Sequence, residues 1–239
     1  MSGVPPPPQS PRQAGCGVTV QQCRALDQRA TQDYGIPVLL LMEHAGIAIA
    51  HVMQKRVKQP NARIVCMAGR GHNGGDGLAA MRLLHAKGFQ PIVFLLGHCA
   101  TLRDEPAVYA RILERVGVPV HELVNERAWT MCAEHVTQAD WIVDALLGTG
   151  FSGSLKPEAQ RAIELMNNAR RPLLAVDAPS GVDVDTGVVP SVAVRAAVTV
   201  TFGLPKHGLL HGDGSRHAGE LIVDDIAFPP ALLAACASP

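Results

Sequence analysis

The sequence predicts an α/β fold, a doubly wound and mostly parallel sheet with helices on both faces. Short apolar runs alternate with helix-length segments, and most of the runs are continuously apolar instead of alternating with polar residues. Strands buried on both faces of a parallel sheet have this pattern, whereas half-exposed strands alternate apolar and polar residues. Alternating strands and helices in turn favour parallel crossover connections. The predicted strands are 63–68, 91–97, 141–148, 172–178, 197–203 and 220–226.

Helices precede and separate these strands. Thr19 and Gln22 have the spacing of a capping box, which predicts a helix from about Val20 to Asp33. Segment 38–58 is apolar at first and basic at its end, as in a buried helix with cations near its C-terminus. Further helices are predicted near 75–87, 105–116, 127–137 and 157–169.

Length and composition indicate one domain with a tail. Residues 1–17 are rich in proline, glycine and glutamine and are predicted to be disordered, which leaves 18–239 as a single α/β domain. The 21 basic residues balance the 21 acidic ones, so no global charge recommends nucleic acid or an anionic membrane as a partner. The N-terminus lacks the apolar core of a signal peptide, and no segment has the length and apolarity of a bilayer span.

The cysteines are scattered, without a C-x-x-C pair or a zinc-like cluster. They are predicted to be reduced packing residues, which favours a reducing compartment and hence a cytoplasmic protein. They are Cys16, Cys23, Cys66, Cys99, Cys132 and Cys236.

The stretch AGRGHNGGDG, residues 68–77, follows the first predicted strand and contains a G-x-G-x-x-G pattern. It leads into a helix whose first turn can offer free N–H groups and a positive dipole end to an anion. An ordinary dinucleotide fingerprint also needs a carboxylate about twenty residues further on, at the end of the second strand. The segment PIVFLLGH has none, and the nearest acid is Asp76. This absence disfavours a nicotinamide-dependent oxidoreductase.

Two further glycine loops follow predicted strands and carry carboxylates. Gly148 to Gly153 is a second G-x-G-x-x-G, with Asp144 four residues before it, and Asp177 to Gly181 contains Ser180. Carboxyl ends of parallel strands share one edge of the sheet, where ligands bind. A carboxylate there can act as acid or base, hold a cation, bind a hydroxyl, or only cap a turn.

Lys206 follows the strand 197–203 in the segment LPKHGLLHGDG. At that end of the sheet a lysine can bind an anionic group or assist proton transfer. A solvated surface lysine is the alternative, and the sequence leaves both open.

Five ordered motifs together resemble the YjeF N-terminal domain family of NAD(P)H-hydrate (NAD(P)HX) epimerases. They are GIPVLLLMEHAG, AGRGHNGGDG, DALLGTGFSG, VDAPSGVDVDTG and FGLPKHGLLHGDG, and the resemblance covers about residues 18–230. It implies a Rossmann-like fold and an isomerase that interconverts the R and S epimers of hydrated NADH and NADPH. It also implies a homodimer, with the helix around 38–57 as a candidate surface. An ATP- or ADP-dependent dehydratase is expected on a separate chain, since this chain is too short to include it.

The resemblance also assigns residues to roles. It implies catalysis by Asp177 and Lys206 and a K+ site at Asn73, Asp144 and Ser180, whose oxygen donors suit a hard cation. We hypothesise that Asp177 exchanges a proton with the substrate's C6 hydroxyl or ring. The implied substrate-binding residues are His72, Asn73, Gly74, Gly75, Asp76, Gly148, Thr149, Gly150, Phe151, Ser152, Gly153, Ser154 and Asp177.

The chain departs from the family pattern at His72 and His44, where asparagine is usual. Histidine can donate a hydrogen bond as asparagine does, but it is larger, so the pocket is expected to differ at His72. A non-catalytic binding or scaffold module is the alternative function. The intact Asp177 and cation ligands favour the enzyme. The sequence shows no acid or arginine that decides between NADHX and NADPHX.

Overall fold

The computed structural model describes residues 17–237. Almost all of the predicted disordered tail therefore lies outside the described residues. The strands are β1 Arg63–Ala68, β2 Gln90–Leu95, β3 Val120–Glu122, β4 Trp141–Ala145, β5 Leu173–Val176, β6 Val198–Phe202 and β7 Glu220–Asp224. The helices are α1 Val20–Gln32, α2 Val38–Arg56, α3 His72–Ala86, α4 Asp104–Val116, α5 Glu126–Gln138, α6 Pro157–Asn168, α7 His207–Leu210, α8 Gly212–Ala218 and α9 Pro230–Ala237.

Within these residues the strands form one sheet in the order β3-β2-β1-β4-β5-β6-β7, and every neighbouring pair is parallel. The predicted fold class is confirmed. The chain runs from β1 outward to β3 and then returns to β4 on the other side of β1. The strand order therefore reverses between β1 and β4, the place where open α/β sheets bind ligands.

The central strands are buried on both faces, which explains their continuous apolar sequence. In β1, Ile64 and Cys66 point into a core formed with α2, α3 and α4, whereas Val65 and Met67 point into a core formed with α5 and α6. Successive side chains of a strand point to opposite faces, so each layer of helices needs every second residue to be apolar.

Helices α2 and α3 pack closely and are joined by a polar contact. A Cβ at Gly46 would lie 2.7 Å from that of Ala79, so only glycine allows this approach. Glu43, in the EHAG part of the first motif, pairs with Arg82 of α3 and accepts a hydrogen bond from the Tyr109 hydroxyl at 2.8 Å. Glu43 thus joins α2, α3 and α4, and its role is structural.

Most glycines of the stretch 68–77 serve close packing, and none has a positive φ. A Cβ at Gly69 would clash with the carbonyl of Leu146, and one at Gly74 would clash with the carbonyl of Gly69. A Cβ at Gly77 would lie 2.5 Å from that of Ala145 in β4. The glycines therefore bring the start of α3 against the neighbouring strand and its loop.

The structure differs from the predicted elements at several boundaries. Helix α3 begins at His72 instead of residue 75, so the last six residues of the first glycine stretch, 72–77, are helical. β3 was not predicted because it has three half-buried residues at the edge of the sheet and no apolar run. The short helices α7 and α8 and the C-terminal α9 were not predicted either. The capping box of Thr19 and Gln22 is present at the start of α1.

Two of the cysteines predicted to be packing residues, Cys66 and Cys132, are fully buried, and burial raises the pKa of both thiols. Cys23, Cys99 and Cys236 are free and half-buried, and Cys16 lies outside the described residues. Among residues 17–237, no helix combines the length and the apolar composition needed to cross a bilayer.

Candidate active site

A cleft of about 1040 Å³ opens at the carboxyl edge of the sheet, over the point where the strand order reverses. The loops after β1 and β4 line its middle, and the ends of β5 and β6 contribute Asp177, Phe202 and Lys206. Leu96, Gly97 and Leu123, after β2 and β3, line the opposite end. Helices α1 and α2 provide a wall. The cleft therefore crosses the switch point from one half of the sheet to the other.

Asp177 and Lys206 form an ion pair at one end of the cleft. The Lys206 Nζ donates to Asp177 Oδ1 at 2.6 Å and to the carbonyl of Phe202 at 2.8 Å. The Lys206 side chain is 3% exposed, so it is not the solvated surface lysine that the sequence left open. Thr201 Oγ1 also donates to Asp177 Oδ1, at 3.2 Å. Among residues 17–237, no group donates to Oδ2, which leaves this oxygen for a ligand in the cleft.

The backbone holds this pair in place from two sides. Asp177 has a φ of 62°, a left-handed conformation that aspartate tolerates better than most residues. Its N–H donates to the carbonyl of Val200 at 2.7 Å, which fixes the end of β5 against β6. Val18, before α1, forms a parallel bridge with Lys206. The start of α1 is therefore anchored next to the buried lysine.

Asp144 and Ser180 form a buried pair beneath the cleft. Asp144 Oδ1 accepts from the Ser180 hydroxyl at 2.6 Å, and Oδ2 accepts from the Ser180 N–H at 2.8 Å. Burial raises the pKa of Asp144 to about 6, although the bonds from Ser180 and Leu146 favour the ionised form. The Ser180 hydroxyl also accepts from the N–H of Leu147 at 2.9 Å. These bonds tie the loop after β5 to the loop after β4.

Asn73 brings an unsatisfied amide to the same place. Its Nδ2 and Oδ1 are both buried, and neither has a hydrogen-bond partner among the described residues. The amide packs on Gly148, where a Cβ would lie 3.1 Å from Asn73 Oδ1. Buried polar groups are rarely left unpaired. The orphaned amide oxygen of Asn73, the buried carboxylate of Asp144 and the hydroxyl of Ser180 fit a hard cation such as K+.

The structure brings most of the predicted substrate-binding residues into the cleft. Those that line it are His72, Asn73, Asp76, Gly148, Thr149, Gly150, Phe151, Ser152, Ser154 and Asp177. Gly74 and Gly75 are buried behind the wall and shape it by packing, and Gly153 does not line it.

The two histidines that depart from the family pattern are both exposed. His72 is the first residue of α3, at the mouth of the cleft, where its Nε2 lies 3.8 Å from Glu105 Oε2. The His72 side chain is 71% exposed, so the larger group extends toward solvent. His44 lies on the exposed face of α2 and is not among the residues lining the cleft.

Asp27 of α1 also lines the cleft and was not among the predicted site residues. Cys23 and Arg24 line the cleft with it. They lie four and three positions before Asp27, on the same face of the helix. Desolvation by the cleft walls, together with the charge of Asp177, raises the pKa of Asp27 to about 6. No motif marks Asp27, because α1 is distant in sequence from the glycine loops. Only the packing of α1 over the end of β6 reveals it.

Asp76 adds a third carboxylate to this end of the cleft. Burial, followed by the charges of Asp177 and Asp27, raises its pKa well above the ordinary value. Lys206 opposes this shift at both Asp76 and Asp27. One buried lysine therefore faces three carboxylates, and the two that it does not contact retain protons to higher pH. Such divergent environments are how a site obtains an acid and a base from identical groups.

The fold and the cleft define a Rossmann-like α/β protein. The sheet is parallel, the cleft lies at its switch point, glycine loops follow β1 and β4, and carboxylates lie at the strand ends. The profile of the family described as YjeF-related protein N-terminus matches residues 38–208. The chain belongs to this family, which confirms the resemblance found in its motifs. The crystal structure of yeast ynu0 superposes with a TM-score of 0.81 over 93% of this chain and 94% of that chain, at 23% identity, and supports the fold.

Curated relatives fall into two groups of different length. The NAD(P)H-hydrate epimerase of Limosilactobacillus fermentum is 38% identical over 87% of this chain and 95% of its own length. The bifunctional NAD(P)H-hydrate repair enzyme Nnr of Pyrobaculum aerophilum is 45% identical over 82% of this chain but only 39% of its own length. The chain thus spans about two fifths of the bifunctional relatives that it matches.

We expect Asp27→Asn to stabilise the protein at neutral pH. The pKa of Asp27 is raised from 3.8 to about 6, so the folded state keeps a proton that the unfolded chain has released. Stability therefore falls as pH rises through this window. Because solvent reaches the cleft, the expected gain at about pH 7 is on the order of 1 kcal/mol, shrinking as the pH falls toward about 4.

Urea unfolding at several pH values measures this gain. Asp213→Asn is the matched control, because Asp213 is an exposed aspartate outside the cleft. A gain for Asp27→Asn that is independent of pH, or an equal gain for Asp213→Asn, would contradict the interpretation.

Proposed function

We propose that this chain is an NAD(P)H-hydrate epimerase, which interconverts the R and S forms of hydrated NADH and NADPH. The observation that carries the proposal is the Asp177–Lys206 pair at one end of a cleft that crosses the switch point. Relatives that match most of this chain and most of their own length are named NAD(P)H-hydrate epimerases, which supports it.

The cleft suggests how the substrate lies. Dinucleotides bind across the switch point with one nucleotide half on each side. The hydrated nicotinamide ring belongs with Asp177 and Lys206, since acid–base chemistry requires titratable groups at the ring. The diphosphate then lies over the loops after β1 and β4, near the first turn of α3. The N–H groups and positive dipole end of that turn favour an anion.

Epimerisation at C6 requires the hydroxyl to leave and water to return on the opposite face. As the C6–O bond breaks, the ring nitrogen lone pair forms a C=N bond, and a carboxylic acid protonates the departing oxygen to give water. Water then adds to the other face of C6 while a carboxylate takes its proton and the C=N electrons return to nitrogen. One proton is donated and one is taken up, so the proton count is unchanged and nothing is oxidised or reduced. The proton on the base returns to the acid through solvent before the next turnover in the same direction.

The carboxylates of the cleft fit these two roles. Asp177 is held through Oδ1 by Lys206, and its free Oδ2 faces the cleft and suits the base. Asp27, whose pKa is raised to about 6, suits the acid. Lys206 positions Asp177 through Oδ1 and has its charge neutralised there, so we assign it to holding the base rather than to proton transfer.

A K+ ion fits the set Asn73, Asp144 and Ser180, for the reasons given above. When bound, it would fix the shape of the loops after β1, β4 and β5 and offset phosphate charge. Asn73 would contribute its orphaned amide oxygen, and Asp144 would contribute its buried carboxylate.

The remaining partners stay predictions. We propose that the S epimer passes to a dehydratase on a separate chain. We also propose a homodimer through α2, where Leu39, Leu40 and Ile47 are exposed apolar side chains with Tyr34 beside them. The opposite face of α2 packs on α3, so the exposed face that carries these side chains remains available for a second chain.

The epimerase assay tests the proposed function. The purified protein is mixed with R and S NADHX and an S-specific dehydratase, and consumption of the R form is followed. Asp177→Asn is expected to lower kcat by about 100-fold or more, since it removes the base. Asp213→Asn is the control, with unchanged turnover expected. Wild-type protein that consumes R no faster than spontaneous epimerisation would reject the function. Near-normal turnover of Asp177→Asn would remove Asp177 from the chemistry.

Thermal denaturation tests the K+ site. Tm is compared in KCl and in tetramethylammonium chloride at equal ionic strength. When the K+ concentration is about ten times its Kd, Tm is expected to be about 3 °C higher in KCl. Asn73→Ala is expected to lose this difference, whereas Asn168→Ala, an exposed asparagine on α6, is expected to keep it. The same Tm in both salts for wild-type protein would overturn the site.

Light scattering tests the homodimer. Wild-type protein at micromolar concentration is expected to have the mass of two chains. Leu40→Glu is expected to give one chain, because a buried charge at an apolar interface is unfavourable. Val188→Glu changes an equally exposed valine elsewhere and is expected to leave the dimer intact. A monomer mass for wild type, or for both variants alike, would contradict the assigned surface.

A further inference from the structure

The end of the cleft opposite Asp177 carries a cation. Arg70 lies in the loop between β1 and α3, and its side chain extends across Gly97 at the end of β2. A Cβ on Gly97 would lie 2.9 Å from Arg70 Cδ and 3.3 Å from Nε. Gly97 has a φ of 125°, a conformation that favours glycine. The absence of a side chain there allows the guanidinium to lie over the strand end.

Arg70 has no partner of its own. Among residues 17–237, no carboxylate pairs with it and no oxygen accepts a hydrogen bond from it, although the side chain is exposed in the cleft. Arg103, further along, instead donates to the carbonyls of Ala100 and Leu102. The guanidinium of Arg70 therefore keeps all its donors for a ligand, and it matches phosphate oxygens in geometry and charge.

No carboxylate competes for a ribose at this position. β2 ends at Leu95 and is followed by Leu96 and Gly97, without an acid. The acid at the end of the neighbouring strand, Glu122 of β3, accepts from His98 Nδ1 at 2.9 Å and from the Cys99 N–H at 2.7 Å. These bonds lower the pKa of Glu122 and occupy both of its oxygens. The residues that line the cleft after β2 and β3 are Leu96, Gly97 and Leu123, which bring no carboxylate for a ribose 2′-hydroxyl, whereas Arg70 offers a free cation to a 2′-phosphate.

The distance along the sheet suits the two ends of one dinucleotide. β5, which carries Asp177, and β2 are separated by three strand spacings, or about 14 Å. With the nicotinamide ring at Asp177, the adenosine ribose reaches the end of β2. In dinucleotide-binding sheets this position holds an acid for the 2′-hydroxyl or an arginine for the 2′-phosphate.

We propose that Arg70 and the Gly97 turn hold the 2′-phosphate of the adenosine ribose, which makes hydrated NADPH a better substrate than hydrated NADH. The proposal rests on the proposed function for the orientation of the substrate. The sequence alone did not decide between NADHX and NADPHX. The structure favours NADPHX because Arg70, in the loop after β1, reaches the end of β2.

Isothermal titration with two adenosine probes tests the subsite without the epimerase reaction. Adenosine 2′,5′-bisphosphate differs from adenosine 5′-monophosphate only by the 2′-phosphate. Wild-type protein is expected to bind the bisphosphate about 10-fold or more tightly than the monophosphate, because a charge-assisted pair is formed. Arg70→Gln is expected to bring the ratio near one with the monophosphate affinity unchanged. Arg115→Gln, an exposed arginine on α4, is the control and should keep the wild-type ratio.

Several outcomes would overturn the subsite. These are equal affinity of wild-type protein for the two probes, no binding of either probe, or an equal loss of both in Arg70→Gln. The last would mean that Arg70 serves the 5′-phosphate or the loop itself. Unchanged Tm of Arg70→Gln excludes misfolding as the cause of any loss.

The ratio of kcat/KM for NADPHX over NADHX separates this inference from the proposed function. Arg70→Gln is expected to lower the ratio by about 10-fold. Equal activity on both substrates would reject the 2′-phosphate subsite but would be consistent with the proposed epimerase function. A probe preference in a protein without epimerase activity would keep the subsite and reject the function.

Discussion

The reversal of strand order between β1 and β4 is the constraint on which the rest of the structure depends. The crossover from β1 through α3 proceeds toward one edge of the sheet, and the crossover from β4 through α6 proceeds toward the other. Their first loops therefore diverge and leave a cleft over two adjacent strands. Such a cleft is useful only if α3 stays close to the sheet, and the clashes that a Cβ would produce at Gly69, Gly74 and Gly77 explain the glycines there.

In the part of the chain that the structure describes, the single buried cation of the cleft, Lys206, contacts one of three carboxylates at its end of the cleft. The carboxylates therefore differ in their proton affinity, as acid–base catalysis requires. Lys206 contacts Asp177, while Asp27 and Asp76 face the same negative charge without a cation of their own. Their raised pKa values reflect an electrostatic cost to the folded state at neutral pH. Sites that retain such costs sacrifice stability for function. Burial raises the pKa of Asp144 as well, but both of its oxygens accept hydrogen bonds from Ser180, which favour the ionised form.

Pattern in the sequence predicted most of the fold and much of the site. Apolar runs identified the six longer strands, because a strand buried on both faces contains few polar residues and most of the six are buried in this way. β3 escaped because an edge strand of three half-buried residues has no such requirement. The first glycine stretch was interpreted as a loop up to residue 75, yet α3 begins at His72, since packing against the sheet offsets the poor helix propensity of glycine.

The sequence by itself determined the class of fold, the loops that converge and the family, because these depend on periodicity and on motifs that are local in the chain. The tertiary structure decided which side chains meet. It placed Asp27 in the cleft, buried Lys206 against Asp177, and laid Arg70 across the end of β2. Each of these contacts joins segments that are distant in sequence or lie on different strands. The energies of these contacts come from burial and from electrostatic interactions between neighbours in three dimensions. A local sequence pattern does not show which distant segments become neighbours.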